Sequence, residues 1–489
     1  MYRSCHRCLI STAALLVVFA LTACTEAYEP AAPSGDAARA LVAQYAVSPP
    51  AAAAGDHVLV LASQSAPSSA LLTAIQANGG SVLSRYDRIG VVVVRGLSDA
   101  AAATLRDRAD VEAASRDEVM QWQPTVQGLS HESIPVQANA NPADAFFYAF
   151  QWNMRQIQAD RAWEITPRGE GALVCILDSG IDPTHIDLQG RVDLGSSASF
   201  IAEPDLGIPG LEGQVDILDY RFHGTFVASQ VATNGQGMAS VAPNATLCAV
   251  KVLNVFGTGP FEGVIAGVLH AVDVRADVIN MSLGAYLDWS TAEGELKALL
   301  VALQRAILHA TSRGVLVVAS SGNDGANLDA DGSFIHVPSQ MLGVVSVSAT
   351  GPQNQMDFDG LAPYSNFGRT GVTLAAPGGN AGSTGNGLDG ILGACSSFQL
   401  ALPFACTTSD YVSGGDGTSF AAPHVSGLAA VVESAARGNQ FGLVLSACAI
   451  AGADRIDGQL LSPAYGFGRI DVFDSVQRFG CGRSLFSWR

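Results

Sequence analysis

Basic residues are scarce in this chain. Lys and Arg number 26 against 44 Asp and Glu over 489 residues, a formal net charge of −18. A phosphate partner needs a basic footprint, so the balance argues against nucleic-acid binding. Charge of either sign is thin, at 14% of residues, while 48% are hydrophobic. That pairing argues against disorder and suits a compact globular enzyme with a large core. Long apolar runs are missing too: beyond Leu9–Leu21 no stretch is long and apolar enough to span a bilayer. No His/Cys cluster has zinc spacing, and no repeat of fixed period is apparent. No Gly-x-Ser-x-Gly elbow occurs either, which argues against an α/β-hydrolase esterase, whose triad runs Ser, Asp, His.

The N-terminus reads as a targeting segment. Arg3, His6 and Arg7 precede the apolar run Leu9–Leu21, which ends in Leu21-Thr22-Ala23-Cys24. The run is too short and too closely followed by small residues for a transmembrane span. Leu-Thr-Ala-Cys resembles a bacterial lipobox, in which Cys24 is lipidated; the alternative is an ordinary cleaved signal peptide. Either way the protein leaves the cytoplasm. After Cys24 six cysteines remain, an even number that permits disulfides in an exported chain without fixing their pairing. Cys395 and Cys406 bracket a Ser/Phe/Leu-rich loop, and Cys448 with Cys481 would tie down the C-terminal tail. Cys175 and Cys248 sit in apolar runs, where a buried free thiol is as good a reading as a bond.

Organisation follows composition. Residues 1–23 form the signal and 24–55 an Ala/Pro-rich tether. Between 56 and 122 the pattern is a small α+β unit. Its strands are expected at Val58–Leu61, Val82–Tyr86, Gly90–Val94 and Val111–Val119, and its helices at Ser69–Asn78 and Ser98–Ala109, the second opened by an N-cap serine. Residues 123–145 read as an exposed linker suited to cleavage. From 146 to 489, short continuous apolar runs alternate with helical stretches: Leu173–Leu177, Leu247–Leu253, Val278–Met281, Val315–Ala319 and Val344–Val347. Continuous hydrophobicity is what parallel strands buried on both faces require. The expected fold is therefore α/β, a three-layer doubly wound and mostly parallel sheet.

Ligands of such sheets bind beyond the carboxyl ends of the strands. There the first run ends in Asp178-Ser179-Gly180-Ile181-Asp182, the third leads into Ser282-Leu283-Gly284, and the fourth ends shortly before Asn323. His223-Gly224-Thr225 and Gly417-Thr418-Ser419-Phe420-Ala421-Ala422-Pro423-His424 complete the set. The chain order is Asp, His, Ser. From about Trp152 to Val476 these segments resemble the subtilisin-like serine proteases, or subtilases, whose order this is.

The resemblance implies an acyl-enzyme endopeptidase with Ser419 as nucleophile, His223 as general base and acid, and Asp178 as its orienting partner. Asn323 matches the oxyanion-hole asparagine. Ser282, Leu283, Gly284, Ser320, Ser321 and Gly322 match the walls of the pocket for the residue before the scissile bond. No acidic residue lies in those two segments, so apolar or broad specificity is expected. His424 reads as structural. Phe226, Ser229 and Phe420 depart from the family pattern, which bears on packing and not on the triad. The α+β unit resembles the inhibitor-type propeptide of many subtilases. The implied partners are peptide or protein substrates and that propeptide, acting on a monomer, with a membrane contact only through a lipid on Cys24. No cofactor is expected for catalysis; structural calcium is left open, with Asp187 at one ligand position. The precursor would be membrane-anchored by its lipid, and the mature domain periplasmic or extracellular. A second class of function is a catalytically silent subtilase-fold surface lipoprotein with a binding or scaffolding role, which the presence of all four site residues argues against.

Overall fold

The structure, a computed structural model, describes residues 55–123, 131–133, 141–204, 211–288, 296–330, 334–400, 406, 408–436, 440–477 and 481. The expected signal, Cys24 and most of the tether and linker lie outside the described residues.

The first unit is a four-stranded antiparallel sheet in the order β2-β3-β1-β4, with β1 His57–Leu61, β2 Ser81–Tyr86, β3 Val91–Arg95 and β4 Val111–Arg116. Its two helices, Ser69–Ala77 and Asp99–Arg106, start on Ser68 and Ser98, whose hydroxyls accept the Leu71 and Ala101 N–H groups. The strands Val58–Leu61 and Val91–Val94 are apolar at every position because both faces are covered. Leu59, Leu61, Val92 and Val94 meet the unit's own helices through Leu71, Ile75 and Leu105. Val58, Val60, Val91 and Val93 belong to a core that also holds Phe261, Ile265, Leu299 and Leu303 of the larger domain. A unit this small is marginal alone, and it borrows half of its core.

The run Val111–Val119, expected as one strand, is two. After β4 the chain breaks at Asp117, whose N–H donates to the Asp56 carbonyl and whose carboxylate accepts the Glu262 N–H. Strand β5 (Val119–Gln121) then leaves the sheet and pairs antiparallel with β10 (Thr258–Pro260) of the larger domain, Met120 opposite Gly259. A single apolar pattern carries no signal for a change of partner.

The larger domain is built on a seven-stranded sheet in the order β16-β15-β13-β11-β7-β9-β8, parallel throughout. These strands are β7 Leu173–Asp178, β8 Ala198–Ser199, β9 Thr246–Lys251, β11 Val278–Met281, β13 Leu316–Ser320, β15 Val344–Thr350 and β16 Leu374–Pro377. The helices His223–Val231 and Thr418–Ala435 share one core cluster. The helices Phe261–Asp273 and Lys297–Ser312 share the other. This is the three-layer arrangement expected of near-continuous apolar strands. Two short ribbons flank it: β12 (Ala285–Asp288) with β14 (Phe334–Val337), and β6 (His131–Ser133), β18 (Tyr411–Gly415) and β17 (Ile391–Ala394). The register of β7 and β9 sets Cys175 opposite Cys248, and these two are bonded. Cys395 is bonded to Cys406 and Cys448 to Cys481.

Candidate active site

Asp178 is the last residue of β7, at the carboxyl edge where the strand order reverses between β9 and β11. It is fully buried, and its Oδ1 accepts the Ser179 N–H at 2.7 Å. His223 Nδ1 lies 2.9 and 3.0 Å from the two carboxylate oxygens. The histidine opens its helix from a tight turn in which Phe222 takes a left-handed φ of 89°. That strain is held by Asp219, a fully buried carboxylate that accepts from the Arg221, Phe222 and Thr225 N–H groups and from the Ser179 and Thr225 hydroxyls. Burial pushes the Asp219 carboxyl above its ordinary range, against the pull of these donors. Gly224 is needed where it stands, since a methyl group there would lie 2.0 Å from the Gly180 carbonyl.

Ser419 is the second residue of the helix Thr418–Ala435, and its N–H belongs to the unpaired first turn. Its Oγ donates to the Ser282 carbonyl at 3.3 Å, while Ser282 Oγ donates to the Ser419 carbonyl at 2.6 Å. Among the described residues no hydrogen bond joins Ser419 to His223. Asn323 is oriented by Thr418, whose N–H and hydroxyl donate to Asn323 Oδ1 at 2.9 and 2.7 Å. This leaves the Asn323 amide N–H groups for the cleft beside Ser419, which both residues line. His424 is buried and neutral, its pKa pushed down to about 4 by burial. It bonds the Phe420 carbonyl and Asn153 and faces away from the cleft chemistry.

The departures from the motif compensate one another. Phe226 and Phe420 stack on each other, centroids 4.0 Å apart, and the His223 ring lies 5.6 Å from Phe420. Ser229 is absorbed by the Phe226 carbonyl and the Ala394 N–H.

The cleft between β10 and Ser282–Gly284 is filled by the first unit. The Gly284 N–H donates to the Trp122 carbonyl at 2.9 Å, the Trp122 N–H to Gly257 at 3.1 Å and the Trp122 indole to Gly259 at 2.8 Å. Gln123, which composition assigns to the linker, is buried against the acid and the base. Its Nε2 lies 2.8 Å from Asp178 Oδ1 and 2.8 Å from His223 Nδ1, while its Oε1 accepts from Arg221 Nε at 3.0 Å. The guanidinium fixes the amide orientation, because only the oxygen can face it.

A cavity of about 260 Å³ opens beyond Trp122 toward Ser419. Leu283, Gly284, Ser320 and Gly322 line it as expected walls; Ser282 lies behind Ser419, and Ser321 bonds Asn366 and Val347 instead. Asp324 and His336, which lie outside the two wall segments, also line it. The Asp187 carboxylate accepts the Gln236, Gly237 and Met238 N–H groups. Among the described residues no cluster of His, Cys, Asp or Glu is placed to hold a metal.

Residues 169–468 match the Subtilase family (Peptidase_S8). The chain belongs to the subtilases, a family of serine endopeptidases. It is 30% identical over 338 residues to the thermophilic serine proteinase of Bacillus sp. (strain AK1), covering 68% of this chain and 69% of that one. To thermitase of Thermoactinomyces vulgaris it is 30% identical, covering 69% of this chain and 99% of that one. In fold it resembles the epidermin leader peptide processing serine protease of Staphylococcus aureus, with a TM-score of 0.69 and 21% identity over 86% of this chain and 97% of that one. Four residues of this subtilase's site escaped the motifs: Gln123, Asp219, Arg221 and His336. Asp219 had a faint signal, an aspartate just before a helix start. Arg221 stands two residues before His223 but outside the motif, and Gln123 and His336 reach the site from segments with no chemistry in their own sequence.

Proposed function

We propose that this subtilase is an exported endopeptidase, made as a self-inhibited precursor, that cleaves peptide bonds through an acyl-enzyme on Ser419. The observation that carries this reading is strand β5 and the two residues after it lying in the cleft as a substrate would, with Gln123 on Asp178 and His223. A substrate strand takes the same backbone donors and acceptors on β10 and Gly284. His223 removes the Ser419 proton as Oγ attacks the carbonyl, and Asp178 steadies the imidazolium. The Ser419 N–H and the Asn323 amide receive the oxyanion. His223 then protonates the departing amine, and water repeats the sequence on the ester.

Gln123 stalls the first of these steps. The carboxamide nitrogen lies 2.8 Å from both Asp178 Oδ1 and His223 Nδ1, so it donates to the carboxylate on which His223 Nδ1 also depends at 2.9 and 3.0 Å. The hydrogen bond given to Asp178 by Gln123 weakens the carboxylate's hold on the imidazolium that forms when His223 takes the Ser419 proton. Residues 56–123 are on this reading an intramolecular inhibitor, cleaved off within the 124–145 segment. Export is supported by the Leu9–Leu21 run. A lipid on Cys24 would stay with the inhibitor, so cleavage would free the protease from the membrane.

The test is the intact mass of the exported chain and of its Ser419→Ala variant. Loss of the N-terminal unit in the wild type alone is the expected result. If both chains remain full length, self-processing is ruled out; if both are cut alike, another protease matures them.

A further inference from the structure

We infer that His336 selects the side chain just before the scissile bond (P1), and that this subtilase prefers a carboxamide there, glutamine or asparagine, over an aromatic ring. The inference rests on the peptidase reading above.

The cavity beside Ser419 and Asn323 is where that side chain must go, since the reacting carbonyl sits between those two residues. Its walls meet at Gly284 and Gly322. A methyl group on either glycine would come within 2.7 Å of His336 Nε2, so the imidazole fills the bottom of the slot between the two backbones. The ring cannot swing away. Its Nδ1 is bonded to Ser339 Oγ at 2.7 Å, and its backbone N–H donates to Gln340 Oε1 at 2.7 Å. Nε2 has no hydrogen-bond partner among the described residues, which leaves it facing the slot.

Two consequences follow. The cavity left beside the ring, about 260 Å³, has room for an aromatic side chain, so discrimination falls to the polar floor rather than to depth. An apolar side chain that does enter would bury Nε2 without a partner, a loss on the order of 10- to 100-fold in binding. Burial keeps the imidazole neutral, its pKa pushed down to about 4, so it is no ready counter-ion for a carboxylate. Asp324, which also lines the cavity and accepts from Asn366 Nδ2 at 3.1 Å, repels acidic side chains further. A carboxamide meets both groups. It carries donors for Asp324 and, through its nitrogen or its oxygen, a match for either tautomer of Nε2.

The test uses the full chain, allowed to process itself, on peptides that differ only at P1. Glutamine or asparagine is expected to exceed phenylalanine in kcat/KM by about tenfold or more. His336→Gly should lower the Gln-to-Phe ratio by roughly 100-fold, and His336→Gln should keep the wild-type order. These ratios are taken within one preparation and do not depend on how much of a variant folds. The inference is overturned if phenylalanine, leucine or lysine is preferred, if P1 makes no difference, or if the ratio survives His336→Gly. If the wild type cleaves no peptide at all, the peptidase reading itself fails; cleavage with a flat P1 profile sinks this inference alone.

Discussion

The two halves of the cleft are in different states. On the acid–base side, Asp178 and His223 are capped by Gln123, whose amide is clamped by Arg221. On the nucleophile side, Ser419 and Asn323 open onto a free cavity. Ser419 Oγ is parked on the Ser282 carbonyl, away from the base. If the 119–123 segment inhibits as proposed, it does so at the acid–base pair rather than at the serine. The cavity lined by Ser419 and Asn323 lies to one side of that pair.

That contrast yields graded predictions. Ser419→Ala should abolish peptide turnover, by a factor on the order of 10⁶, the size measured when the subtilisin serine is removed. Residual turnover within tenfold of wild type, in a steady-state assay, would mean that the nucleophile lies elsewhere. Asn323→Ala should lower kcat by about 10²- to 10³-fold, the subtilisin value for this kind of donor, and spare KM; an effect confined to KM would place the amide on the ground state. Gln123→Ala should speed the appearance of activity in the full chain by about tenfold or more, since it removes hydrogen bonds to charged groups. An unchanged lag would show that strand β5 alone does the inhibiting.

The smallest effect concerns pH. Asp117 is buried where the two units meet, and its Oδ2 has no hydrogen-bond partner among the described residues. Asp56, Glu118, Glu262 and Tyr86 surround it, and Arg95 pairs with Asp56. Burial, with the neighbouring Glu262, Asp56 and Glu118 charges, raises its pKa well above the carboxylate range. A group whose pKa is raised by association favours the protonated, associated state. Its contribution is full below about pH 4 and is lost as pH rises through the raised value. Retention of the cleaved N-terminal unit, followed by gel filtration, should therefore fall from acid toward neutral pH, and Asp117→Asn should flatten the fall. Retention that rises with pH would reverse the sign and the assignment.

Much of this was legible in the sequence, and for physical reasons. Strands buried on both faces advertise themselves as apolar runs, so β7, β9, β11, β13 and β15 are found within a residue or two at most ends. β16, Leu374–Pro377, is short and half alanine, and it lacks that contrast. Asp178, His223, Ser419 and Asn323 are brought to one cleft because each follows a strand or opens a helix, positions that local sequence marks. Gln123, Arg221 and His336 are marked by nothing local. Gln123 and His336 reach the cleft only through pairings remote in sequence, β5 with β10 and β12 with β14, while Arg221 sits in the turn just before His223. The stacking of Phe226 on Phe420 belongs to the same class: two departures from a motif that make sense only together.

The most direct test is covalent. A fluorophosphonate probe, read by intact mass and peptide mapping, should add once to the released protease domain, at Ser419. It should add far more slowly to the uncleaved chain and not at all to His223→Ala. A released domain that takes no label, or takes it on another residue, would contradict the account.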